Sequence, residues 1–220
     1  MTLRGIRAMI WDLDGALVDT MPDIVNALRA AACAVGYGEL TDEQTSDKVG
    51  GGALNAITAI FGEEHQRFIE PALDHFRTYY SEHCADESRL YPGIIDVLNH
   101  FNGNVRCALA TAKIRTAVLK LLDSLNVLEY FDYLVTADDM QRMKPDPQCI
   151  EMILEHFSIY DPSEATIIGD MKTDIQAGLA AGVHTVGVTY GYGKACDLRA
   201  FGPDLLVDSP LELMDAIRWD

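Results

Sequence analysis

Residues 6–15 of the chain read IRAMIWDLDG. The apolar run from Ile6 to Trp11 is short and stops at Asp12, a pattern that predicts a buried β-strand. Side chains alternate along an extended backbone, so Asp12 and Asp14 lie on the same side of it. This stretch therefore predicts a buried strand that ends in two neighbouring carboxylates.

The composition is that of an ordinary globular protein. The chain has 220 residues, 49% hydrophobic and 23% charged, which is enough for a full hydrophobic core. The net charge of −17 disfavours binding to nucleic acid or to an anionic membrane. The five cysteines contain no C-x-x-C pair, which argues against a disulfide framework and a zinc site. No stretch suits a signal peptide or a membrane span, so we expect a cytoplasmic monomer or homodimer with a small-molecule partner.

The pattern of the sequence changes near residue 91. Apolar spacing is helical over residues 21–86, whereas helices and strands alternate after the Tyr-Pro-Gly of residues 91–93. Such alternation predicts an α/β fold with a parallel sheet and helices on both faces. The all-helical stretch lies between the first strand and the others, so we interpret it as an inserted subdomain joined by linkers near Gly15 and Arg89.

The predicted core thus comprises residues 1–15 and 90–220, and the predicted insertion comprises residues 16–89. Within the insertion, Thr41 and Gln44 have the spacing of a capping box. Helices are predicted from Pro22 towards Gly36 and over residues 53–61, 63–84 with an interruption near Pro71, 94–101, 114–125, 147–157, 175–181 and 211–217. Strands are predicted over residues 105–110, 133–136, 165–168, 183–188 and 205–207.

Polar residues gather at the carboxyl ends of the strands, where open parallel sheets form their sites. Thr111 follows the second core strand, Lys144 precedes a predicted helix, and Asp170 follows the fourth strand with Asp174 one helical turn further on. Carboxylates at one sheet edge repel each other, and Mg²⁺ relieves this repulsion because it accepts carboxylate and phosphate oxygens. A metal and a lysine together would attract an anion despite the net charge.

Each of these residues also has a purely structural interpretation. Lys144 alone would be a solvated surface lysine, Thr111 could cap the next helix, and Asp170 and Asp174 could be favourable charges at a helix N-terminus. An Asp-x-Asp-Gly sequence also opens calcium loops, but the Ala-Leu of residues 16–17 breaks that pattern. The signal is the ordered set of residues, not any one member.

That ordered set resembles the motifs of the haloacid-dehalogenase-like hydrolases. Residues 12–20, DLDGALVDT, resemble the family's D-x-D-G-x-x-x-D-[ST] signature. Thr111 fits the second motif, Lys144-Pro145 the third, and residues 169–174, GDMKTD, the fourth. The resemblance covers nearly the whole chain and implies a Rossmann-like core with an inserted helical cap.

The resemblance also implies catalytic and phosphate-binding roles. Asp12 would be the nucleophile that takes up the phosphoryl group. Asp14 would protonate the leaving oxygen and then activate water. Thr111, Ala112 and Lys144 would bind the phosphate, although Ala112 replaces an asparagine found in many relatives, so one polar contact is missing.

A magnesium site follows from the same resemblance. Asp12, the backbone carbonyl of Asp14, and Asp170 would hold Mg²⁺. Asp174 would be a ligand directly or through water. The Met-Lys-Thr of residues 171–173 departs from the family's more usual Ser-x-Asn in the surroundings of the metal.

Subfamily features imply phosphate-ester chemistry. The dehalogenase branch has no acid at the position of Asp14, and the phosphonate-cleaving branch usually has alanine there. Residues 19–23, DTMPD, and 189–193, TYGYG, resemble phosphoglycolate phosphatases, which implies 2-phosphoglycolate as substrate. The cap residues that would contact the substrate are Lys48, Gly50, Gly51 and Gly52. The glycines alone would suit a hinge equally well.

Two other functions remain open at this point. One is a phosphosugar phosphatase or a β-phosphoglucomutase-like phosphotransferase. The other is a catalytically silent binding protein on the same fold, which would be expected to lack Asp12, Asp14 or Lys144.

Overall fold

The computed structural model describes residues 2–46, 48–49 and 52–220, and in this part of the chain six parallel strands form one sheet. The sheet order is β5-β4-β1-β6-β7-β8, and β2 and β3 form a separate antiparallel pair. The strands are β1 (Ala8–Trp11), β2 (Val18–Asp19), β3 (Arg89–Leu90), β4 (Arg106–Ala110), β5 (Tyr133–Val135), β6 (Ala165–Gly169), β7 (His184–Val188) and β8 (Leu205–Val207).

Helices separate the strands and confirm the predicted α/β class. They are α1 (Met21–Ala34), α2 (Asp42–Ser46), α3 (Ala53–Phe61), α4 (Ile69–His83), α5 (Ile94–Phe101), α6 (Arg115–Ser124), α7 (Gln148–Phe157), α8 (Lys172–Ala181), α9 (Ala195–Ala200) and α10 (Leu213–Ala216). None of the described helices combines the length and apolar composition that crossing a bilayer requires.

Strand β1 is central because both of its faces are covered. Met9 and Trp11 are fully buried in one apolar cluster, which includes Ile94 and Phe101 of α5. Ala8 and Ile10, which alternate with them, belong to the cluster on the opposite face. A strand buried on both sides needs a continuous apolar run, which explains the sequence of this segment.

The register of the sheet brings three strand ends to the same level. Trp11, the last residue of β1, pairs with Leu109 of β4 and with Ile168 of β6. Each of the three strands therefore ends within about one residue of its neighbours. The residues that follow them, including Asp12 and Asp170, meet at one edge of the sheet.

Helices α1 to α4, which lie in sequence between β2 and β3, form the helical segment. This segment has a hydrophobic cluster of its own. Leu28, Ile57 and Phe76 are buried in that cluster. Residues 16–18, by contrast, pack in the cluster of the sheet. The division of the chain at residues 16 and 89 into core and cap stays a prediction.

Asp23 joins the two chain segments that flank these helices. Its carboxylate, 1% exposed, accepts hydrogen bonds from the backbone N–H of Glu87 at 3.0 Å and of Ser88 at 2.9 Å. The hydroxyl of Ser88 donates to it at 2.6 Å. One side chain near the start of α1 thus satisfies three donors on the returning segment.

Some predicted boundaries are wrong. The helix predicted over residues 63–84 is a 3₁₀ helix followed by α4, and the break is at His65, whose backbone is non-helical, rather than near Pro71. Pro71 lies in the first turn of α4, where its missing N–H costs nothing. Helix α8 starts three residues before the predicted Ile175, so Asp174 lies in its first turn. Helix α9 and the pair β2–β3 were not predicted, because they are short and lack a clear apolar period.

We expect Asp23→Ala to lower the free energy of unfolding by about 3 kcal/mol, because buried donors at residues 87 and 88 lose their acceptor. Urea denaturation measures the loss. Asp74→Ala is the matched control, since Asp74 lies on α4 with 75% of its side chain exposed and only a 3.7 Å contact to Arg77. Equal losses in the two variants would contradict this role of Asp23.

Candidate active site

The strand ends at the centre of the sheet build the candidate site. Asp12 follows β1 and its N–H donates to the carbonyl of Ile168 at 2.9 Å. Thr111 follows β4 and its N–H donates to the carbonyl of Val135 at 3.0 Å. Both residues continue the ladder of the sheet for one bond, which fixes their backbones, while Asp170 directly follows β6.

Three carboxylates meet at this edge. Asp12, Asp170 and Asp174 each offer an oxygen, and these oxygens lie within 4.8 Å of one another. The residues are 8%, 0% and 1% exposed, respectively. Oδ1 of Asp170 is buried and accepts no hydrogen bond from any described residue. A buried, unpartnered oxygen within a carboxylate cluster suits a hard divalent cation such as Mg²⁺.

The pKa values of the cluster reflect its excess of negative charge. Burial raises the pKa of Asp12 well above its usual value and outweighs the ammonium of Lys144, and Asp174 and Asp170 raise it further. Burial, together with Asp174, raises the pKa of Asp170 to about 7, against the effect of two backbone N–H donors. Lys144 alone therefore does not neutralise the cluster, and a cation would be favourable here.

Lys144 lies between β5 and α7, and its peptide bond to Pro145 is cis. Its Nζ donates to Oδ1 of Asp12 at 2.6 Å and to the carbonyl of Ala110 at 2.9 Å. Nζ also lies 2.6 Å from Oδ1 of Asp174, although that contact lacks hydrogen-bond geometry. The side chain is 8% exposed, so the interpretation as a solvated surface lysine is wrong. Burial lowers the pKa of Lys144, but Asp12 and Asp174 outweigh it and raise the pKa, so the group stays charged.

Asp170 is held in place by the loop that follows β7. Its Oδ2 accepts hydrogen bonds from the N–H groups of Tyr192 at 2.7 Å and Gly193 at 3.2 Å. The approach is so close that a Cβ on Gly193 would lie 1.8 Å from the Asp170 carbonyl oxygen. Gly15, at φ +89°, faces Oδ2 of Asp170 from the other side, where a Cβ would lie 2.3 Å away. Glycine is required at both positions by close approach.

Asp174 has a structural role as well. Its Oδ2 accepts a hydrogen bond from the N–H of Met171 at 2.9 Å, which satisfies a donor at the start of α8. The alternative interpretation of Asp174 as a helix N-terminal charge is thus partly correct, and the same side chain also belongs to the carboxylate cluster.

Asp14 is bound separately from the three clustered carboxylates. Its Oδ1 accepts a hydrogen bond from the hydroxyl of Thr20 at 2.5 Å and lies 2.9 Å from Nζ of Lys113. The Asp14 side chain is 22% exposed, more than the 12% of Asp12, so it is open to the space above the sheet. Its position next to the cluster, with a free face, suits proton transfer to a group bound there.

Tyr192 connects this region to the start of α1. Its hydroxyl accepts hydrogen bonds from the N–H groups of Thr20 at 2.6 Å and Met21 at 2.9 Å, and lies 3.1 Å from Oδ1 of Asp19. Burial raises the pKa of the Tyr192 hydroxyl, and the nearby Asp14 adds to the effect. The tyrosine thereby ties the loop that positions Asp170 to the segment that positions Asp14.

Thr111 is 1% exposed, and its hydroxyl accepts a hydrogen bond from the N–H of Lys113 at 3.2 Å. The helix-capping interpretation of Thr111 is wrong, because α6 begins at Arg115 without a side-chain cap and the bond to Lys113 lies in the turn before the helix. Ala112 is next to it, and a Cβ on Gly52, at φ +91°, would lie 3.9 Å from the Cβ of Ala112. The helical segment thus reaches the edge of the site at Gly52, while the predicted contacts at Gly50 and Gly51 lie outside the described residues.

A cavity of about 560 Å³ opens next to Asp170. Lys48 from the helical segment lines it, together with Lys172 at the start of α8 and Lys194 just before α9. Asp197 also lies on its wall. Of the six lysines in the chain, five therefore lie at this cavity or against the carboxylates that end β1, since Lys113 and Lys144 contact Asp14 and Asp12.

Two contributors were missed or undervalued from the sequence. The sequence around Lys113 alone predicts no function for it, because its contact with Asp14 is formed only in the folded structure. Tyr192 lies within the TYGYG motif, but nothing in that motif indicates that its hydroxyl binds the residues at the start of α1. In both cases the partner is distant in sequence, so no local sequence pattern predicts the contact.

Comparison with known proteins agrees with this geometry. Residues 9–188 match the family model described as haloacid dehalogenase-like hydrolase. The chain is 34% identical to N-acetylmuramic acid 6-phosphate phosphatase of Pseudomonas aeruginosa, over 99% of this chain and 97% of that protein. It is 32% identical to phosphoglycolate phosphatase of Photobacterium profundum, over 98% and 97% respectively.

A solved structure shows the same fold. The predicted phosphoglycolate phosphatase from Haemophilus somnus 129pt superposes with a TM-score of 0.88 at 23% identity, over 96% of this chain and 97% of that one. The match to the family model, the near-complete overlap with relatives above 30% identity, and the ordered strand-end residues lead to one conclusion. The chain belongs to the haloacid dehalogenase-like hydrolase family.

Proposed function

We propose that this hydrolase is a Mg²⁺-dependent phosphatase that acts on a small phosphate monoester carrying a carboxylate, through an aspartyl-phosphate intermediate. The observation that carries the proposal is the buried cluster of Asp12, Asp170 and Asp174, two of which contact Lys144. The names of the relatives support phosphate-ester hydrolysis, since the matched proteins are phosphatases. Cytoplasmic location and the monomeric or dimeric state stay predictions.

Asp12 is the best nucleophile of the cluster. It is 8% exposed, whereas Asp170 and Asp174 are 0% and 1% exposed, so Asp12 is the member of the three that a substrate can reach. Lys144 holds one of its oxygens, Oδ1, which orients the other. Asp170 and Asp174 are left to hold the metal, together with Asp12 and the backbone carbonyl of Asp14.

Mg²⁺ bound there would offset charge on the phosphate oxygens and on the carboxylates. An oxygen of Asp12 attacks phosphorus, the bond from phosphorus to the ester oxygen breaks, and Asp14 gives its proton to the departing alcohol oxygen. Asp14 then takes a proton from water, whose oxygen attacks the phosphorus of the acyl phosphate. This second displacement releases phosphate and regenerates the Asp12 carboxylate.

The cavity wall supports a substrate with a second anionic group. Lys48, Lys172 and Lys194 line it and outnumber the two aspartates on the same wall, so the local charge is opposite in sign to the net charge of −17. The residues at the strand ends bind the phosphate, and the three lysines of the cavity wall are available to bind a second anionic group of the substrate. The two relatives act, by their names, on derivatives of glycolate and of muramic acid, which are both carboxylic acids.

Two substrates of this class are candidates. The motif resemblance favours 2-phosphoglycolate. The size of the cavity, about 560 Å³, favours a larger carboxylated sugar phosphate such as N-acetylmuramic acid 6-phosphate, because drug-sized ligands occupy cavities of roughly 300–1,000 Å³. A catalytically silent binding protein is disfavoured, since Asp12, Asp14 and Lys144 are all present and all in contact with partners. A phosphotransferase would be revealed by a requirement for a bisphosphate.

We expect Asp12→Asn to lower kcat by roughly 10³-fold or more while the fold remains intact, because an amide is a poor nucleophile and supplies no charge to the metal. Release of inorganic phosphate measures kcat, and circular dichroism checks the fold. Asp215→Asn, at a side chain that is 97% exposed, removes the same charge far from the site and should leave kcat unchanged. An active Asp12→Asn variant, with deamidation excluded, would refute the nucleophile.

We expect Asp170→Asn to stabilise the protein in EDTA by on the order of 2 kcal/mol, because it removes one charge from a repulsive cluster. The same change should abolish the stabilisation that Mg²⁺ gives to the wild type through binding to the folded state. Thermal unfolding with EDTA and with Mg²⁺ tests both effects, again with Asp215→Asn as control. If Mg²⁺ stabilises the wild type and the Asp170→Asn variant equally, Asp170 is not a ligand.

We expect the carboxylate of the substrate to raise kcat/KM, and matched pairs isolate it. 2-Phosphoglycolate is compared with 2-hydroxyethyl phosphate, and N-acetylmuramic acid 6-phosphate with N-acetylglucosamine 6-phosphate. Each of Lys48→Met, Lys172→Met and Lys194→Met removes one exposed charge contact worth roughly 1 kcal/mol, so the KM of the acid should rise about fivefold. The KM of the counterpart that lacks the carboxylate should not change.

Lys120→Met is the control for this series, because Lys120 lies on α6 and binds backbone carbonyls instead of lining the cavity. If neither acid is preferred over its counterpart, the carboxylate proposal is wrong and the phosphatase proposal stands. If 2-phosphoglycolate is turned over tenfold less efficiently than the sugar acid, the substrate implied by the motifs is wrong.

A further inference from the structure

Lys113 is a buried cation that the mechanism above does not use. Its side chain is 6% exposed, and its Nζ lies 2.9 Å from Oδ1 of Asp14. Nζ also donates a hydrogen bond to the hydroxyl of Tyr80 and lies 4.4 Å from the centre of that ring. Tyr80 belongs to α4, in the helical segment, so Lys113 connects this segment to Asp14.

The bonds of Asp14 distinguish its two oxygens. Thr20 donates to Oδ1, and Lys113 contacts Oδ1 as well. A protonated carboxyl group has one carbonyl oxygen, which accepts, and one hydroxyl oxygen, which donates. The Thr20 hydroxyl and the Lys113 ammonium both lie against Oδ1, which marks it as the accepting oxygen, so the transferable proton of the acid belongs on Oδ2.

The charge of Lys113 is maintained where it lies. The carboxylate of Asp14 and the hydroxyl of Tyr80 both lie against the ammonium of Lys113, whose side chain is 6% exposed. Burial raises the pKa of Tyr80 to about 12, so its hydroxyl is neutral and can accept the hydrogen bond. A buried ammonium with two good partners is rigidly held, because losing either partner would leave it uncompensated.

We propose that Lys113 is a positioning residue for the general acid Asp14, and that Tyr80 of α4 holds Lys113 in place. This inference rests on the proposed function, in which Asp14 protonates the leaving group. The helical segment thereby contributes to the orientation of the acid, in addition to any contact it makes with the substrate.

Another lysine, Lys120, contributes to the docking of α4 on the core without contacting Asp14. Lys120 of α6 donates to the backbone carbonyls of Ser81 at 3.0 Å and Glu82 at 2.6 Å. It therefore fastens the end of α4 to the core without contacting Asp14. Lys120→Met is consequently a matched control that loosens the same helix and leaves the acid untouched.

The leaving group provides a readout that a purely structural role would not change. When the bond from phosphorus to the ester oxygen breaks, a p-nitrophenolate leaves as a stable anion, whereas a benzyl alkoxide needs the proton of Asp14. The value of kcat/KM covers the steps up to release of the alcohol, so hydrolysis of the aspartyl phosphate does not enter it. Comparing p-nitrophenyl, phenyl and benzyl phosphate thus isolates acid catalysis in ligands of similar size.

The experiment measures kcat/KM for the three esters in Mg²⁺. Lys113→Met should lose roughly 10²-fold with benzyl phosphate, the lower end of the usual contribution of a general acid, and no more than about threefold with p-nitrophenyl phosphate. Phenyl phosphate should lie between them. Tyr80→Phe, which keeps the ring, should show the same order of sensitivity with a smaller loss. Lys120→Met should lower all three values equally or not at all.

A double-mutant cycle adds an independent check. In an Asp14→Asn background no proton is available to position, so adding Lys113→Met should change the value for benzyl phosphate by less than about twofold. Should Lys113→Met fail to fold, which circular dichroism would show, Lys113→Arg and Tyr80→Phe carry the same leaving-group comparison.

Three results would overturn the inference. Equal losses on all three esters in Lys113→Met would mean that the lysine stabilises structure only, and the proposed function would stand. A rise in KM with unchanged kcat on every ester would make Lys113 a substrate-binding residue, again with the function intact. A wild type that hydrolyses none of the esters in Mg²⁺ would overturn the proposed function and this inference with it.

Discussion

The mutual repulsion of three buried carboxylates is the constraint on which the site depends. At about 4 Å and an effective dielectric constant near 20, each pair of like charges costs about 4 kcal/mol. Asp12, Asp170 and Asp174 are nevertheless held with oxygens within 4.8 Å of one another, and Lys144 contacts two of them. Only a stiff support can keep such a cluster together, and repulsion of this size would favour a bound cation.

The sheet supplies that stiffness. β1 is buried on both faces, and its register with β4 and β6 fixes where each chain leaves the sheet. Backbone N–H groups of residues 192 and 193 then fix one oxygen of Asp170, and glycine at residue 193 permits the necessary approach. The repulsive energy is thus offset by the contacts of Lys144 and by many ordinary backbone interactions spread over the core.

Much of this could be predicted from the sequence, for identifiable physical reasons. An apolar run that stops at Asp12 predicts a doubly buried strand, and strands that alternate with helices predict parallel ends at one edge. The proximity of Asp12 to Asp170 follows from these two facts. The helix limits at residues 53–61 and 94–101 agree with the structure, because glycines lie at or next to their ends.

What could not be predicted depends on partners that are distant in sequence. The start of α8 was misplaced because Asp174 satisfies the N–H of Met171, a cap that apolar periodicity does not reveal. Lys113 contacts Asp14 across 99 residues of chain, and Asp23 binds Ser88 across 65. Long-range polar contacts leave no spacing in the sequence, so their residues are visible only as isolated charges.

The two acids at the end of β1 are supported by different parts of the protein. Among the described residues Asp12 contacts Lys144 and the carboxylate cluster, whereas Asp14 is bound by Thr20, before α1, and by Lys113, which Tyr80 of α4 holds. Under the proposed function, binding of metal and phosphate would therefore be retained while the helical segment changes, because Asp12, Asp170 and Asp174 all lie outside that segment. Protonation of the leaving group would not be independent of the helical segment, because Tyr80 of that segment holds the lysine that contacts Asp14. Under the proposed function, substitutions in the helical segment should alter the choice of leaving group before they alter the affinity for phosphate.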